Sequence, residues 1–177
     1  LAHIGGSWST VITGGTSIVR NFWYHVVITR SGNDFDCWVN GTKDATTVTN
    51  SGSITNPSSD GVEIGRLSTN GYNRKYGGYI SNLRFVNGTA VYTSNFSIPT
   101  SPLTNITNTK LLCCQDSYSA TTAAVSPATP TLSSTSVRPT AVNAFDAFCV
   151  DGTPHMSASA AGITEGSISL GAATVNR

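Results

Sequence analysis

Between residues 21 and 115 apolar positions recur with a period of two, interrupted by glycine- and asparagine-rich turns, the pattern of half-buried β-strands. The clearest unit is NFWYHVVITRSGNDFDCWVNG at residues 21–41. Residues 24–30 are β-branched and aromatic, Ser31-Gly32-Asn33 is turn chemistry, residues 35–39 alternate again, and Asn40-Gly41 opens a second turn. This predicts a β-hairpin followed at once by another. Short strands are predicted upstream at residues 7–13 and 16–19, set off by Gly5-Gly6 and Gly14-Gly15, and turn signals every eight to twelve residues or so continue downstream. The predicted core is Tyr24, Val26, Ile28, Phe35, Cys37, Val39, Ile64, Leu83, Phe85 and Leu112, with little or no helix. By the same alternation Trp38 projects to the opposite face of its sheet.

Two further stretches carry the pattern on: VEIGR at residues 62–66 and GGYISNLRFVNGTAVYTSNFSIPTSPLTNITNTKLLCCQ at residues 77–115. The hairpin, with its Trp-Tyr-His-Val segment ending in Thr-Arg and its Val-Asn-Gly closure, resembles the laminin G-like branch of the concanavalin A-like lectin/glucanase sandwiches. Residues 77–115 look like the continuation found in laminin G-like modules of bacteriophage virion proteins. The resemblance implies an all-β, antiparallel β-sandwich of the concanavalin A-like jelly-roll type. It also implies a structural role in a phage particle, as capsid decoration, tail or fibre, with a virion location and other virion subunits as partners in a homo-oligomer. In that family several strands precede the hairpin, whereas here only residues 3–19 do, and the only methionine is Met156. The expectation is that N-terminal strands are missing upstream and that the bare sheet edge is covered by the C-terminal part or a neighbouring subunit.

The texture changes after residue 116. Residues 117–142 are mostly Ser, Thr, Ala, Val and Pro, and Pro127, Pro130 and Pro139 exclude regular central strands and helices. Residues 144–150 (AFDAFCV) read as a short strand with Phe145, Ala147 and Cys149 on one face, and residues 166–177 as a final weak strand. The expected organisation is a sandwich at 1–116, an extended arm or linker at 117–142, and strands at 143–177 that complete the sandwich or lead to a next domain. As an arm, 117–142 docks on another chain; as a linker it does not, and its composition serves both.

Composition limits the function classes. Only 11% of the 177 residues are charged and the formal net charge is +1, so there is no electrostatic footprint for nucleic acid or an acidic membrane. No run approaches the roughly 20 apolar residues of a membrane span. Cys37, Cys113, Cys114 and Cys149 show no C-x-x-C spacing, and neighbours on a strand point to opposite faces, so Cys113 and Cys114 are not expected to line one metal site. They read as free thiols packed as small hydrophobes, with a disulfide from Cys37 or Cys149 to one of the pair as the alternative.

Glycoside hydrolysis needs two carboxylates across one bond. Glu63 and Glu165 are the only glutamates, and neither sits in the Glu-x-Asp-x-Glu type of motif that the resemblance leads one to seek. Asp34 and Asp36 share a strand face but follow a glycine turn, where capping is the simpler role. His3, His25 and His155 are scattered, and no nucleophile elbow or phosphate loop appears. The chain is expected not to be an enzyme.

Sugar recognition on β-sandwiches combines aromatic platforms with amide and charged hydrogen-bonding groups. The glycine-rich stretch 70–79 carries three tyrosines with two cations. Candidate glycan-binding residues are therefore Trp38, Tyr72, Arg74, Tyr76, Tyr79 and Asn82, Trp38 being either a platform or covered by the 117–142 arm. No cofactor is expected; calcium, common in laminin G-like modules, has only the weak candidates Asp34, Asp36 and Asp60. Two functions follow: a non-enzymatic phage structural component that presents the module to a host-surface glycan, or a carbohydrate-binding lectin or adhesin of a secreted bacterial protein.

Overall fold

The computed structural model describes residues 2–5, 7–55, 62–67, 74–132, 137–140 and 142–145. Among these there is no helix, and every strand pairing is antiparallel. The strands are β1 (Ala2–Ile4), β2 (Ser7–Ser9), β3 (Val26–Ser31), β4 (Asp34–Val39), β5 (Thr42–Lys43), β6 (Val48–Thr49), β7 (Arg66–Leu67), β8 (Arg74–Lys75), β9 (Leu83–Val86), β10 (Thr109–Cys113) and β11 (Ala123–Val125). They form a β1-β2 hairpin, a four-stranded sheet in which β4 pairs with β3, β5 and β6, a β7-β8 hairpin, and a sheet ordered β11-β10-β9.

The expected double hairpin is present. β3 and β4 pair without a slip from Val26 opposite Val39 to Ser31 opposite Asp34, around a turn in which Gly32 has φ +61°. Val39 then pairs with Thr42 across a two-residue loop whose residues, Asn40 and Gly41, both have positive φ (50° and 79°). Asn-Gly is suited to such a loop because asparagine tolerates, and glycine prefers, the left-handed region. Gly41 is also pressed from outside: a Cβ there would lie 2.1 Å from the Phe96 carbonyl oxygen.

Two covers protect the sheet around β4. On one face Phe35 is 3% exposed and packs with Ile4 and Val11, while the Arg30 guanidinium carbon stands 4.9 Å from the centre of its ring. On the other face Trp38 is 1% exposed. Its cover is the 92–96 segment: Phe96 lies 6.4 Å from Trp38, stacks on Tyr92 at 3.7 Å and meets the His25 ring edge-on at 5.6 Å. The segment is fastened by Phe96 N–H donating to the Gly41 carbonyl (3.0 Å) and Lys43 N–H donating to Asn95 Oδ1 (2.9 Å). The cover over Trp38 expected from the 117–142 arm thus comes from Phe96.

The core differs from the expected one. Phe35, Cys37 and Leu112 are buried as expected, joined by Ile4, Val11, Trp38 and Cys113; Tyr24, Val39 and Leu83 are half-buried. Val26 (54% exposed), Ile28 (60%), Ile64 and Phe85 are exposed. Val26 and Ile28 share the Phe35 face, but Ile4 and Val11 reach only its Phe35 end. β1 is held on its second side as well, through the Ile4–Ile54 bridge and the Gly5 N–H and Thr55 N–H bonds to Ser53 and His3 carbonyls.

The Ser/Thr/Pro-rich stretch begins by joining its own sheet. β11 pairs with β10, Leu112 opposite Val125 and Cys113 opposite Ala123. Pro127 comes two residues after the end of β11, where its missing N–H interrupts no strand pairing. This part of the stretch therefore docks intramolecularly. Of the strand expected at 144–150, Ala144 and Phe145 form a turn, in which Phe145 N–H bonds Asn143 Oδ1, and the remainder lies outside the described residues, as does 166–177.

Candidate ligand-binding surface

The exposed aromatic surface comes from the segment after β8 and the segment before β3. Tyr76 and Tyr79 are 61% and 57% exposed, and the Tyr79 ring lies 6.4 Å from that of half-buried Trp23 at an interplanar angle of 43°. Glycines make this possible. Tyr76 folds over Gly78 so closely that a Cβ there would stand 2.9 Å from two of its ring carbons and from its hydroxyl oxygen. Tyr76 N–H also donates to the carbonyl of Gly65, whose own Cβ position lies 3.4 Å from Ile80 Cδ1. The Glu63–Arg66 ion pair (3.5 Å) lies next to Gly65 in the chain. Flat exposed rings suit a sugar, which presents apolar C–H faces for them to stack on.

Of the residues singled out from the sequence, Tyr76 and Tyr79 stand on this surface. Tyr72 lies outside the described residues, and Arg74 contributes the strand β8. Trp38 is no platform, because both sides of β4 are covered and its ring meets Phe96 rather than solvent. Asn82 is engaged internally. With φ at +55° it leads into β9, its Oδ1 accepts Leu103 N–H (2.9 Å) and Gln115 Nε2 (2.7 Å), and its N–H donates to the Cys114 carbonyl (2.9 Å). Trp23 was missed. The available signal was its place one residue before the alternating run, where a large aromatic has no strand neighbour to cover it.

The carboxylates are engaged across strands rather than in capping the turn beside them. Asp34 Oδ1 accepts from Thr49 Oγ1 at 2.5 Å, its partner in register on β6. Asp36 Oδ1 accepts from Lys43 Nζ and Thr47 Oγ1, both at 2.6 Å, and these hydrogen bonds hold its pKa below the usual carboxylate value. Asp44 receives the Gly15 and Thr16 backbone N–H groups and the Thr16 hydroxyl. Among the described residues no three His, Cys, Asp or Glu side chains converge as a metal site, and Asp60 lies outside them. Burial first, and then the Arg84 charge, lower the pKa of His25, and among the described residues its Nδ1 has no hydrogen-bond partner.

The cysteines correct one expectation. Cys37, Cys113 and Cys114 are free thiols. Strand alternation was expected to separate Cys113 from Cys114, but β10 ends at Cys113 and Cys114 turns into the left-handed region with φ +62°. That conformation costs a non-glycine residue about 1–2 kcal/mol and brings the two sulfurs to 3.6 Å. The sulfur–sulfur hydrogen bond pulls the Cys114 thiol down to about 7 and pushes that of Cys113 up.

A sequence profile described as the concanavalin A-like lectin/glucanases superfamily, of the laminin G type, matches residues 2–94, more than half of the chain. The chain belongs to this superfamily. The antiparallel, helix-free architecture agrees with it, and membership supports a module of the carbohydrate-binding type. The match to the superfamily spans β1 to β9 and includes Trp23, Tyr76 and Tyr79, while β10 and β11 extend the sheet beyond it. No curated protein and no solved structure matches the chain.

Proposed function

We propose that this chain is a non-enzymatic, glycan-binding laminin G-like module of a bacteriophage structural protein, displayed on the particle in association with other virion subunits. Exposed Tyr76 and Tyr79, the latter beside half-buried Trp23, carry the binding part of the reading: large rings open to water on a glycine-shaped surface are what sugar C–H faces stack on. The likeness of residues 77–115 to phage virion modules supports the setting. Host-surface glycan is the partner this implies, with nucleic acid and membrane outside the reading and no cofactor required. The Asp34 and Asp36 side chains, each tied to a threonine and one to Lys43, are poorly suited to acid/base work.

The test is a glycan array followed by titration of the best ligand. Tyr79→Ala and Tyr76→Ala should each weaken binding by about 3- to 10-fold, the value of one aromatic contact, with an unchanged unfolding midpoint. Undiminished binding in the double variant would place the ligand elsewhere. Incubation with β-glucans or bacterial exopolysaccharides should release no sugar.

A further inference from the structure

The adjacent thiols Cys113 and Cys114 have no part in the proposed sugar surface, yet they are arranged as a pair rather than as two packing residues. Their sulfurs stand 3.6 Å apart, and Cys113 lines an open depression of about 360 Å³ with Gln115, Asp116, Ser117, Thr122 and Ala124, while Cys114 next to it is half-buried. The arrangement is held from both sides. Cys113 is paired with Leu83 on β9 and Ala123 on β11. The Cys114 carbonyl is bonded by Asn82 N–H, and Gln115, the next residue, gives its amide to both Asn82 Oδ1 and the Leu103 carbonyl (2.7 and 2.8 Å). The left-handed turn at Cys114 is thus fixed by its neighbours.

The spacing discriminates between the two things adjacent thiols can do. A disulfide requires closure to about 2.05 Å between residues whose Cα atoms are only about 3.8 Å apart, short of the usual 4.4–6.8 Å. Chelation requires no closure, because two sulfurs bound at about 2.3 Å to one tetrahedral centre lie about 3.8 Å from each other. We propose that Cys113 and Cys114 form a preorganised dithiol clamp for a single soft, thiophilic centre, either a trivalent arsenical or a d10 cation such as zinc. With an organoarsenic(III) oxide the step is a condensation: two As–S bonds form, the As–O double bond is lost, and the oxygen leaves as water with both thiol protons. No electrons are transferred.

The full chain, reduced with a phosphine and freed of the reductant, is titrated with phenylarsine oxide and read by intact mass. One phenylarsenic unit per chain, with loss of one water, is expected. C113S and C114S should each weaken capture by roughly 10²- to 10⁴-fold, the gain from making the second bond intramolecular, whereas C37S should not. Because a serine variant can perturb the β10 end, reversal of the adduct on the unaltered chain provides a second readout: a dithiol should strip it at concentrations where a monothiol does not. A parallel arm offers Zn²⁺ against a chromophoric chelator. Capture of either probe that depends on both cysteines upholds the clamp and identifies its kind of centre. Failure of both, an adduct retained by the C113S/C114S double variant, or equal reversal by monothiol and dithiol overturns it. Glycan binding is measured separately, so loss of one proposal leaves the other standing.

Discussion

β3 and β4 are each six residues long, alternate in the same way and pair residue for residue, yet their side chains meet opposite fates. β4 holds Phe35, Cys37 and Trp38, all buried, while β3 leaves Val26 and Ile28 in solvent. The difference lies in the neighbours. β4 is flanked by β3 on one side and by β5 and β6 on the other, is capped by Ile4 and Val11 on one face and lies under Phe96 on the other; among the described residues β3 pairs with β4 alone. Alternation reports that a strand has two unlike faces. Which of them is covered is decided by chain far away in sequence.

The contrast predicts a steep gradient of mutational cost. Trp38→Ala should destabilise by about 3–5 kcal/mol, the usual cost of emptying a buried aromatic site, as measured by urea denaturation. A cost near that of a surface change would mean that Phe96 does not cover Trp38 in solution. Lys43→Ala removes the ion pair that ties β5 to β4, but Lys43 is more than a third exposed and screened, so the expected loss is under about 1 kcal/mol and shrinks with salt. Asp36 has a folded pKa below its unfolded one, so this contribution is complete above pH 4 and is lost as the pH falls through the depressed value; the Lys43→Ala variant should lack that acid-side slope.

His25, entering β3 against Phe96, titrates with the opposite charge and gives stability the same direction of change. Its folded pKa is lowered, so between that value and about 6.5 the unfolded chain binds more protons and stability falls with falling pH. Replacement by Gln should flatten this part of the curve, and an unchanged curve would assign the slope to another group. The smallest effect is expected on β3: Ile28→Ser should change stability by no more than about 0.5 kcal/mol, as for surface positions in general. A larger cost would reveal a cover over β3 in solution.

Local signals identified the two turns, the hairpin and the buried Phe35, Cys37 and Leu112, because Gly32, Asn40-Gly41 and period-two alternation act over a few residues. They did not place the covers. Nothing near Trp38 announces Phe96, and nothing near Val26 announces that Ile4 and Val11 stop short of it. Of the candidate surface, exposed tyrosines in a glycine-rich stretch were apparent from composition, while Trp23 joined them through a non-local contact. Asn82 and Cys114 were misjudged for one reason: each takes the left-handed region, which strand alternation does not foresee in a non-glycine residue.

The clasp between the Asn40-Gly41 turn and the 95–96 segment implies an order of events as the chain folds. The β3–β4 hairpin can form within microseconds, since its strands are adjacent in sequence. The bond from Lys43 N–H to Asn95 joins residues 52 positions apart and must wait for a long loop to close. Until it does, Trp38 stands uncovered on a finished hairpin, an adhesive surface of the kind that leads slow-folding β-proteins into aggregation. Gly41 has room for a hydrogen and nothing larger beneath the Phe96 carbonyl, so a side chain at this position would hinder the cover from seating.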